Sequence, residues 1–437
     1  MTEHSCIGRM RRRCLPWDDV TERTTLSPTE VNPDHAGDQD GDQDWDGHPR
    51  GSRAYRRLVI ALLAAGIATF AQLYSVQGIL PLIASDLGIT PSQSSLAVGF
   101  ATVGVAVSVL PWSVVADRLG RVRAMSLSVV AATVLGLIVP LSPSLPMLLG
   151  VRFLEGMALG GLPAIAIAYV SEEVHRRHTA VAAATYVSGT TIGGLLGRVV
   201  AAPIAEHVDW RLGTLTVSIM AAAAAAAFLA LAPKPRRPLP ARDDDTGLWD
   251  KIRANLADRG MLALYGQAFL LMGGFVTVYN YLGFRLEAPP FGLPQSIIGL
   301  LFVAYLSGTV SSRVAGQLAG RLGRRAVLAG STAVMIAGVA LTAASALAVI
   351  LTGLVVFTMG FFAAHAIASG WTGHRATVGR AQSGSLYNLF YYAGSSVIGW
   401  TGGLVFQTAG WTPMALYVAG LAVVAAGWAG LALRTGT

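Results

Sequence analysis

The 437-residue sequence predicts an all-α membrane protein whose twelve transmembrane helices form two related six-helix bundles, and three observations predict it. First, 53% of the residues are hydrophobic and 13% charged, with the charges gathered in short clusters, which is too little polar surface for a water-soluble globule. Second, from Leu58 onward the chain divides into twelve apolar segments, each able to cross about 30 Å of hydrocarbon as ~20 helical residues. Third, the basic turn Ser-Val-Val-Ala-Asp-Arg-Leu-Gly-Arg around Asp117 returns 203 residues later as Gly-Gln-Leu-Ala-Gly-Arg-Leu-Gly-Arg-Arg around Gly320. Each copy lies between two apolar stretches, the mark of a chain built from two parallel repeats.

Residues 1–57 are polar, carry a Gly-Asp-Gln-Asp repeat at 37–44 and bury too little apolar surface to fold, so a disordered cytoplasmic tail is expected there. Both cysteines, Cys6 and Cys14, fall in this tail, so no disulfide is expected in the membrane part. With His4 alone beside them they lack the four fixed ligands of a zinc site, and neither a metal nor a cofactor is expected. Spans at 58–83, 94–115, 124–141, 147–170, 180–204 and 212–232 compose the first bundle, residues 58–232. The longest internal polar stretch, with three consecutive aspartates at 243–245, makes residues 233–260 a cytoplasmic linker, and Leu248–Leu256 within it predicts a short amphipathic helix on the membrane surface. Spans at 261–284, 296–318, 326–345, 347–370, 381–406 and 412–433 compose the second bundle, residues 261–437.

Twelve spans leave both termini on one side. The tail, the C-terminus and the loops on that side hold 27 of the 32 Lys and Arg, against Arg211 and Arg285 in the opposite loops, so that side is the cytoplasm. The same placement accounts for the net charge of +8 without nucleic acid as a partner. There is no Gly-x-x-x-x-Gly-Lys-Ser/Thr loop, His-Glu-x-x-His pair or Gly-x-Ser-x-Gly elbow, so neither direct use of ATP nor an enzyme is expected.

Ionisable groups inside a membrane are costly and point to function. Arg152 and Glu155 sit one helical turn apart in span four, and Glu155 is the carboxylate placed inside a span, a carrier of a proton or one half of a structural ion pair. His365 in span ten titrates near neutral pH in its unperturbed form and is the other coupling candidate, its alternative being a packing role. Gln72, Tyr74 and Gln77 in span one, Tyr279 and Asn280 in span seven, and Tyr387, Asn388 and Tyr391 in span eleven can hydrogen-bond and stack a neutral polyol or an amphipathic drug. In span five, Gly189, Gly193, Gly194 and Gly197 let a neighbouring helix approach closely. Arg198 follows them, about 28 Å along its helix, where it is expected to snorkel toward the outer headgroups. Span eleven repeats the pattern with Tyr391, Gly394, Gly399 and Gly402. At the basic turn, Asp117 can accept hydrogen bonds from Arg121 or from a facing helix N-terminus, so Asp117, Arg118, Gly120 and Arg121, with Arg321, Gly323 and Arg324 of the second copy, form a candidate latch between the bundles.

The Asp-Arg-Leu-Gly-Arg turn, the Arg152-x-x-x-Gly156 element and the glycine run of span five resemble signatures of the major facilitator superfamily, over everything from about Leu58 onward. Ser-Gly-Thr-Thr-Ile-Gly-Gly-Leu-Leu-Gly-Arg (188–198), Phe-Val-Thr-Val-Tyr-Asn-Tyr (275–281), Tyr-Leu-Ser-Gly-Thr-Val-Ser-Ser (305–312) and Gly-Phe-Phe-Ala-Ala-His (360–365) resemble its YnfM-type branch of bacterial inner-membrane efflux permeases. The resemblance implies a monomeric secondary transporter of the bacterial inner membrane, its partners membrane lipid, a proton and a small organic substrate, either drug-like or a sugar. It implies proton-driven export by alternating access and adds Glu172 or Glu173 to the charge network of the first turn. Ser113, Gly194 and Gly320 depart from the family's usual Gly, Pro and Asp. A proton-independent facilitator of the same fold and a non-transporting membrane sensor are the alternatives.

Overall fold

A computed structural model describes residues 46–233 and 247–433. The Gly-Asp-Gln-Asp repeat, both cysteines and the three consecutive aspartates lie outside the described residues. The first span is α1 (Arg53–Leu73), a 3-10 turn at Gln77–Ile79 and α2 (Leu80–Leu87). It is followed by α3 (Pro91–Leu119), α4 (Arg121–Ile138), the bent pair α5 (Leu145–Leu159) and α6 (Gly161–Glu173), α7 (Thr179–His207) and α8 (Trp210–Leu231). After the short amphipathic α9 (Leu248–Ala257) come α10 (Arg259–Glu287), α11 (Gln295–Gly299) joined through a 3-10 turn to α12 (Tyr305–Leu322), α13 (Arg324–Leu341), α14 (Leu347–Arg375), α15 (Arg380–Ala409) and α16 (Trp411–Ala432). Among the described residues the regular elements are helical apart from one bridge between His48 and Val174.

Eleven of the spans are long and apolar enough to cross a membrane. The remaining one, α15, has the length, 30 residues, but its Ser, Thr, Tyr and Gly content makes it more polar. It packs along α10 and α3, and Ser383, Tyr387, Tyr392, Ser395 and Ser396 are buried in protein rather than facing acyl chains. Large apolar side chains such as Leu127 and Val134 on α4 and Leu416, Val423 and Leu431 on α16 are exposed, as a lipid-facing surface requires.

The helices start where local chemistry satisfies their free N–H groups. Ser52 Oγ accepts from Tyr55 N, Thr90 and Gln93 form a reciprocal capping box on α3, and Asp258 accepts from Gly260 N and Met261 N at the head of α10. The expected tail therefore ends earlier than its polarity suggested: residues 53–57 belong to α1, and His48 exchanges backbone hydrogen bonds with Glu173 and His175. The arginines that made this segment look solvated have work at the membrane edge, where Arg57 Nη2 donates to Ala230 O in the last turn of α8.

Buried apolar side chains gather into separate cores, two drawn from residues 55–232 and one from 252–433, with Tyr392 the exception that enters the first group. Each group is built around a tightly packed parallel helix pair. A Cβ on Gly189, Gly193 or Gly197 of α7 would run into the backbone of Leu63, Ile67 or Ala71 of α1, in register every four residues. In the second group, a Cβ on Gly394 of α15 would meet the Phe269 backbone of α10, and one on Gly402 the Thr277 side chain. Small residues at this spacing let backbones touch where water supplies no driving force between helices.

A Gly→Ala change in an open helical position gains up to about 1 kcal/mol, whereas overpacking a tight contact costs about 1–3 kcal/mol. Gly193, whose Cβ would lie 2.7 Å from Ile67 Cα, and Gly420, with nothing within 4 Å, should therefore respond with opposite signs. Thermal unfolding of purified Gly193→Ala and Gly420→Ala in detergent is expected to give a lowered and an equal or raised midpoint respectively.

Candidate functional site

The two basic turns have the same backbone. Gly120 (φ 88°, ψ 151°) ends α3 and starts α4, and Gly323 (φ 83°, ψ 149°) ends α12 and starts α13, a conformation open to glycine and strained for any other residue. Their side chains differ. Arg121 Nη1 donates to Asp117 Oδ1 at 2.8 Å, and its Nε and Nη2 reach Glu172 Oε1 at 3.2 and 3.1 Å, so α3, α4 and α6 share one charge network. Of the two carboxylates the resemblance offered, Glu172 is the one in contact, while Glu173 lies 4.0 Å from His48. In the second copy Gly320 replaces the aspartate, and among the described residues Arg118, Arg321 and Arg324 make no ion pair. Among the described residues, the hydrogen-bond partners of Arg121 all precede residue 233.

The C-terminus of α1 is closed by a side chain from another helix. Arg152 is fully buried, and its guanidinium donates to Gln72 O (3.0 Å) and Leu73 O (2.5 Å) of α1, to Ala97 O of α3 (3.1 Å) and to Glu155 Oε2 (2.5 Å). A cation at the end of a helix satisfies its last carbonyls and opposes its dipole. Gln72 lies on the same side: its Nε2 donates to Ala68 O, and both its Oε1, which has no partner, and Glu155 Oε1 border Gly136. Gln72 thus belongs inside the first half rather than with Tyr74 and Gln77.

Those two residues, released by the break after α1, converge with α7, α10 and α12 on Arg198. The expectation that Arg198 snorkels to headgroups is overturned: it is 3% exposed, because its side chain points across α7 into the seam between the halves. Its Nε and Nη2 both donate to Gln77 Oε1 (2.8 and 2.7 Å) and its Nη1 to Gly194 O (2.6 Å). The rings of Tyr74, Phe302 and Tyr305 cage it at 4.1, 4.8 and 4.8 Å. Gln77 Nε2 in turn donates to Asn280 Oδ1 at 2.7 Å, and Tyr279 stacks on Phe302 while its hydroxyl meets Thr358 Oγ1 at 2.7 Å. Gly194 faces this chamber, unlike Gly189, Gly193 and Gly197, which face α1.

A second group forms around His365, whose Nδ1 lies 3.0 Å from the Tyr387 hydroxyl and whose ring packs on Phe361 and Tyr391. Asn388 is exposed and takes no part in it.

Among the described residues, hydrogen bonds between the halves lie in the half of the seam opposite the basic turns. Ser95 meets Tyr281, Thr102 and Gly99 O meet Ser396, Ser92 meets Gln407, Gln295 donates to Gly78 O, and Ser296 N donates to Glu206. Toward the basic end, α12 carries an exposed polar stripe, Thr309, Arg313, Gly316, Gln317 and Gly320, beside a separate apolar stripe, Leu306, Val310, Val314 and Leu318. The apolar stripe suits lipid, and the polar one suits a water-filled crevice. Tyr305, Ser396 and the serines of α3 escaped the candidate set. Ser92, Ser95, Gly99 and Thr102 are spaced 3, 4 and 3 apart, a polar stripe on one face of α3 and the signal that marks the seam.

Residues 62–376 match the sequence profile of the Major Facilitator Superfamily. Over 376 residues, 86% of this chain and 90% of the relative, the sequence is 37% identical to the inner membrane transport protein YnfM of Escherichia coli (strain K12). It is 35% identical over 362 residues (83% and 90%) to the MFS-type transporter YybF of Bacillus subtilis (strain 168). The fold is similar to that of the nucleoside transporter NupG, with a TM-score of 0.71 at 14% identity over 86% of this chain and 100% of that one. It is also similar to a bacterial homolog of the human lysosomal transporter Spinster, with a TM-score of 0.69 at 16% identity over 88% and 98%.

Removing one member of a buried ion pair strands the other and costs about 3–5 kcal/mol. Arg152→Met strands Glu155 together with three carbonyls, whereas Glu155→Gln keeps an acceptor for Arg152 Nη1. Denaturant unfolding in detergent is expected to rank Arg152→Met well below Glu155→Gln, and equal losses would show that the carbonyl contacts contribute little.

Proposed function

The chain belongs to the major facilitator superfamily, and from that premise we propose that it exports a small organic substrate in exchange for protons by alternating access. The observation that carries this reading is the one-sided bonding of the seam: among the described residues, hydrogen bonds join the halves at one end, and at the other Arg121 bonds to carboxylates of its own half beside a polar, exposed face of α12. With the arginine-rich loops in the cytoplasm, this is the conformation open to the inside, from which an exporter loads. Closing the basic end brings the two turns toward each other, and Asp117, Arg121 and Glu172 then act as the latch, with Arg321 and Arg324 as cationic counterparts. Glu155 is the carrier this reading favours, because the orphaned Gln72 Oε1 beside it is the acceptor a protonated carboxyl needs. The dense bonding of Arg152 favours a second reading, in which the Arg152–Glu155 pair is structural and the protein is a facilitator.

The test is uptake into inside-out vesicles with an acid interior, screening labelled pentoses and lipophilic dyes, with Glu155→Gln and Asp117→Asn in parallel. Each pH unit can support up to about tenfold accumulation per exchanged proton. Export by exchange predicts accumulation that collapses with a protonophore, is lost in Glu155→Gln while substrate–substrate exchange persists, and slows in Asp117→Asn. Equilibration indifferent to the gradient, with Glu155→Gln unaffected, would establish the facilitator instead.

A further inference from the structure

We infer that Arg198 is an anion-binding residue, and that the chamber it occupies takes the carboxylate or similar oxyanion of an organic substrate whose apolar body stacks on Tyr74 and Tyr305. The inference deepens the transport reading above and rests on it for what the bound anion is for. Its basis is a charge without a counter-charge. Arg152 is matched by Glu155 at 2.5 Å, but the partners of Arg198 are an amide oxygen, a backbone carbonyl and three ring faces, and among the described residues no carboxylate lies within 4.0 Å of it. Ring faces lower the cost of holding a cation out of water yet leave its net charge in place.

The donor count leaves room for a ligand. A guanidinium has five N–H groups, and three are committed: Nε and one Nη2 hydrogen to Gln77 Oε1, and one Nη1 hydrogen to Gly194 O. Two remain, one on each terminal nitrogen, and a carboxylate is an acceptor with an oxygen for each. Half-buried Tyr305, packed on Arg198, heads the polar stripe of α12 that runs through Thr309 and Arg313 toward the basic end, the direction from which an anion would approach. Arg313 adds a second positive charge along this approach, and Glu155, the carboxylate inside the spans, is already engaged. The site is also placed to affect the seam, because Gln77, which holds Arg198 in the first half, holds Asn280 in the second at 2.7 Å.

The experiment titrates the full-length protein in detergent with benzoate, benzamide and benzylamine, reading the thermal midpoint, and tests the same compounds for counterflow in proteoliposomes. Phenylacetate and hexanoate extend the carboxylate series. Carboxylates are expected to stabilise the wild type where the amide and the amine do not, and Arg198→Gln should weaken their binding about thirtyfold or more. Arg198→Lys should keep part of it, as a point charge without the planar fork. Gln77→Glu supplies the missing carboxylate from within, so it should raise the midpoint of the unliganded protein and abolish carboxylate binding. Because this variant gains an ion pair, it keeps the test decisive even if Arg198→Gln does not fold. The inference is overturned if no carboxylate binds, if benzamide or benzylamine binds as well as benzoate, or if carboxylate binding survives in Gln77→Glu. Arg198-dependent binding with no counterflow of any probe would sink the transport reading and leave the anion site standing. Counterflow of benzylamine that persists in Gln77→Glu would do the reverse.

Discussion

Much of the first half depends on the guanidinium of Arg152, a fully buried charge that ends a helix it does not belong to. Helix α1 stops at Leu73 with its last carbonyls facing protein rather than water, and an unsatisfied backbone group at that depth costs several kcal/mol. Arg152 supplies the donors, and Glu155 offsets the charge that this introduces. Because α1 ends there, Tyr74 and Gln77 leave the helical path and meet Arg198, and the chain turns through Gln77–Ile79 before resuming as α2. The ion pair, the broken span and the aromatic chamber are therefore one arrangement. An interrupted helix that turns polar groups toward the interior is a recurrent solution for a binding site within a membrane.

The two halves are rigid for one reason and joined for another. Within each, the glycine ladders of α7 on α1 and of α15 on α10 bring backbones into contact. Between them run hydrogen bonds of side chains such as Ser95, Thr102 and Gln77, each contributing about 0.5–1.5 kcal/mol net. A few such bonds can hold one conformation without making it irreversible.

Helix count, the repeat and the packing role of Gly189, Gly193 and Gly197 were legible because they depend on local composition and on spacing along a regular helix. What was not legible follows from the same physics. Depth in the membrane can be counted along α7, and the count put Arg198 near an interface, but residue number does not say toward which neighbour a side chain turns. In lipid the outward face is as apolar as the core, so the amphipathic pattern that orients a soluble helix is weak. Gln72 and Gln77 read as neighbours on one helix and end on opposite sides of a break that Pro81 marks only at its far side, where α2 starts. The stripe from Ser92 to Thr102 could be read, since serine and threonine at helical spacing have no reason to face acyl chains.

The two ends of the seam differ in what dissolved ions do to them. Apart from the Glu206 carboxylate and the buried Arg198 guanidinium, which packs on Phe302 and Tyr305, the groups that join the halves at one end are neutral, and electrolyte leaves such neutral contacts nearly untouched. The basic turns carry full charges within reach of solvent, where attraction over more than about 8 Å is screened at physiological salt. Ionic strength thus bears more on the charged contacts of the basic turns than on the neutral hydrogen bonds of the seam. The two turns differ in the same terms: Asp117 gives the first a carboxylate for its own Arg121, while its counterpart 203 residues later, Gly320, leaves the second without one.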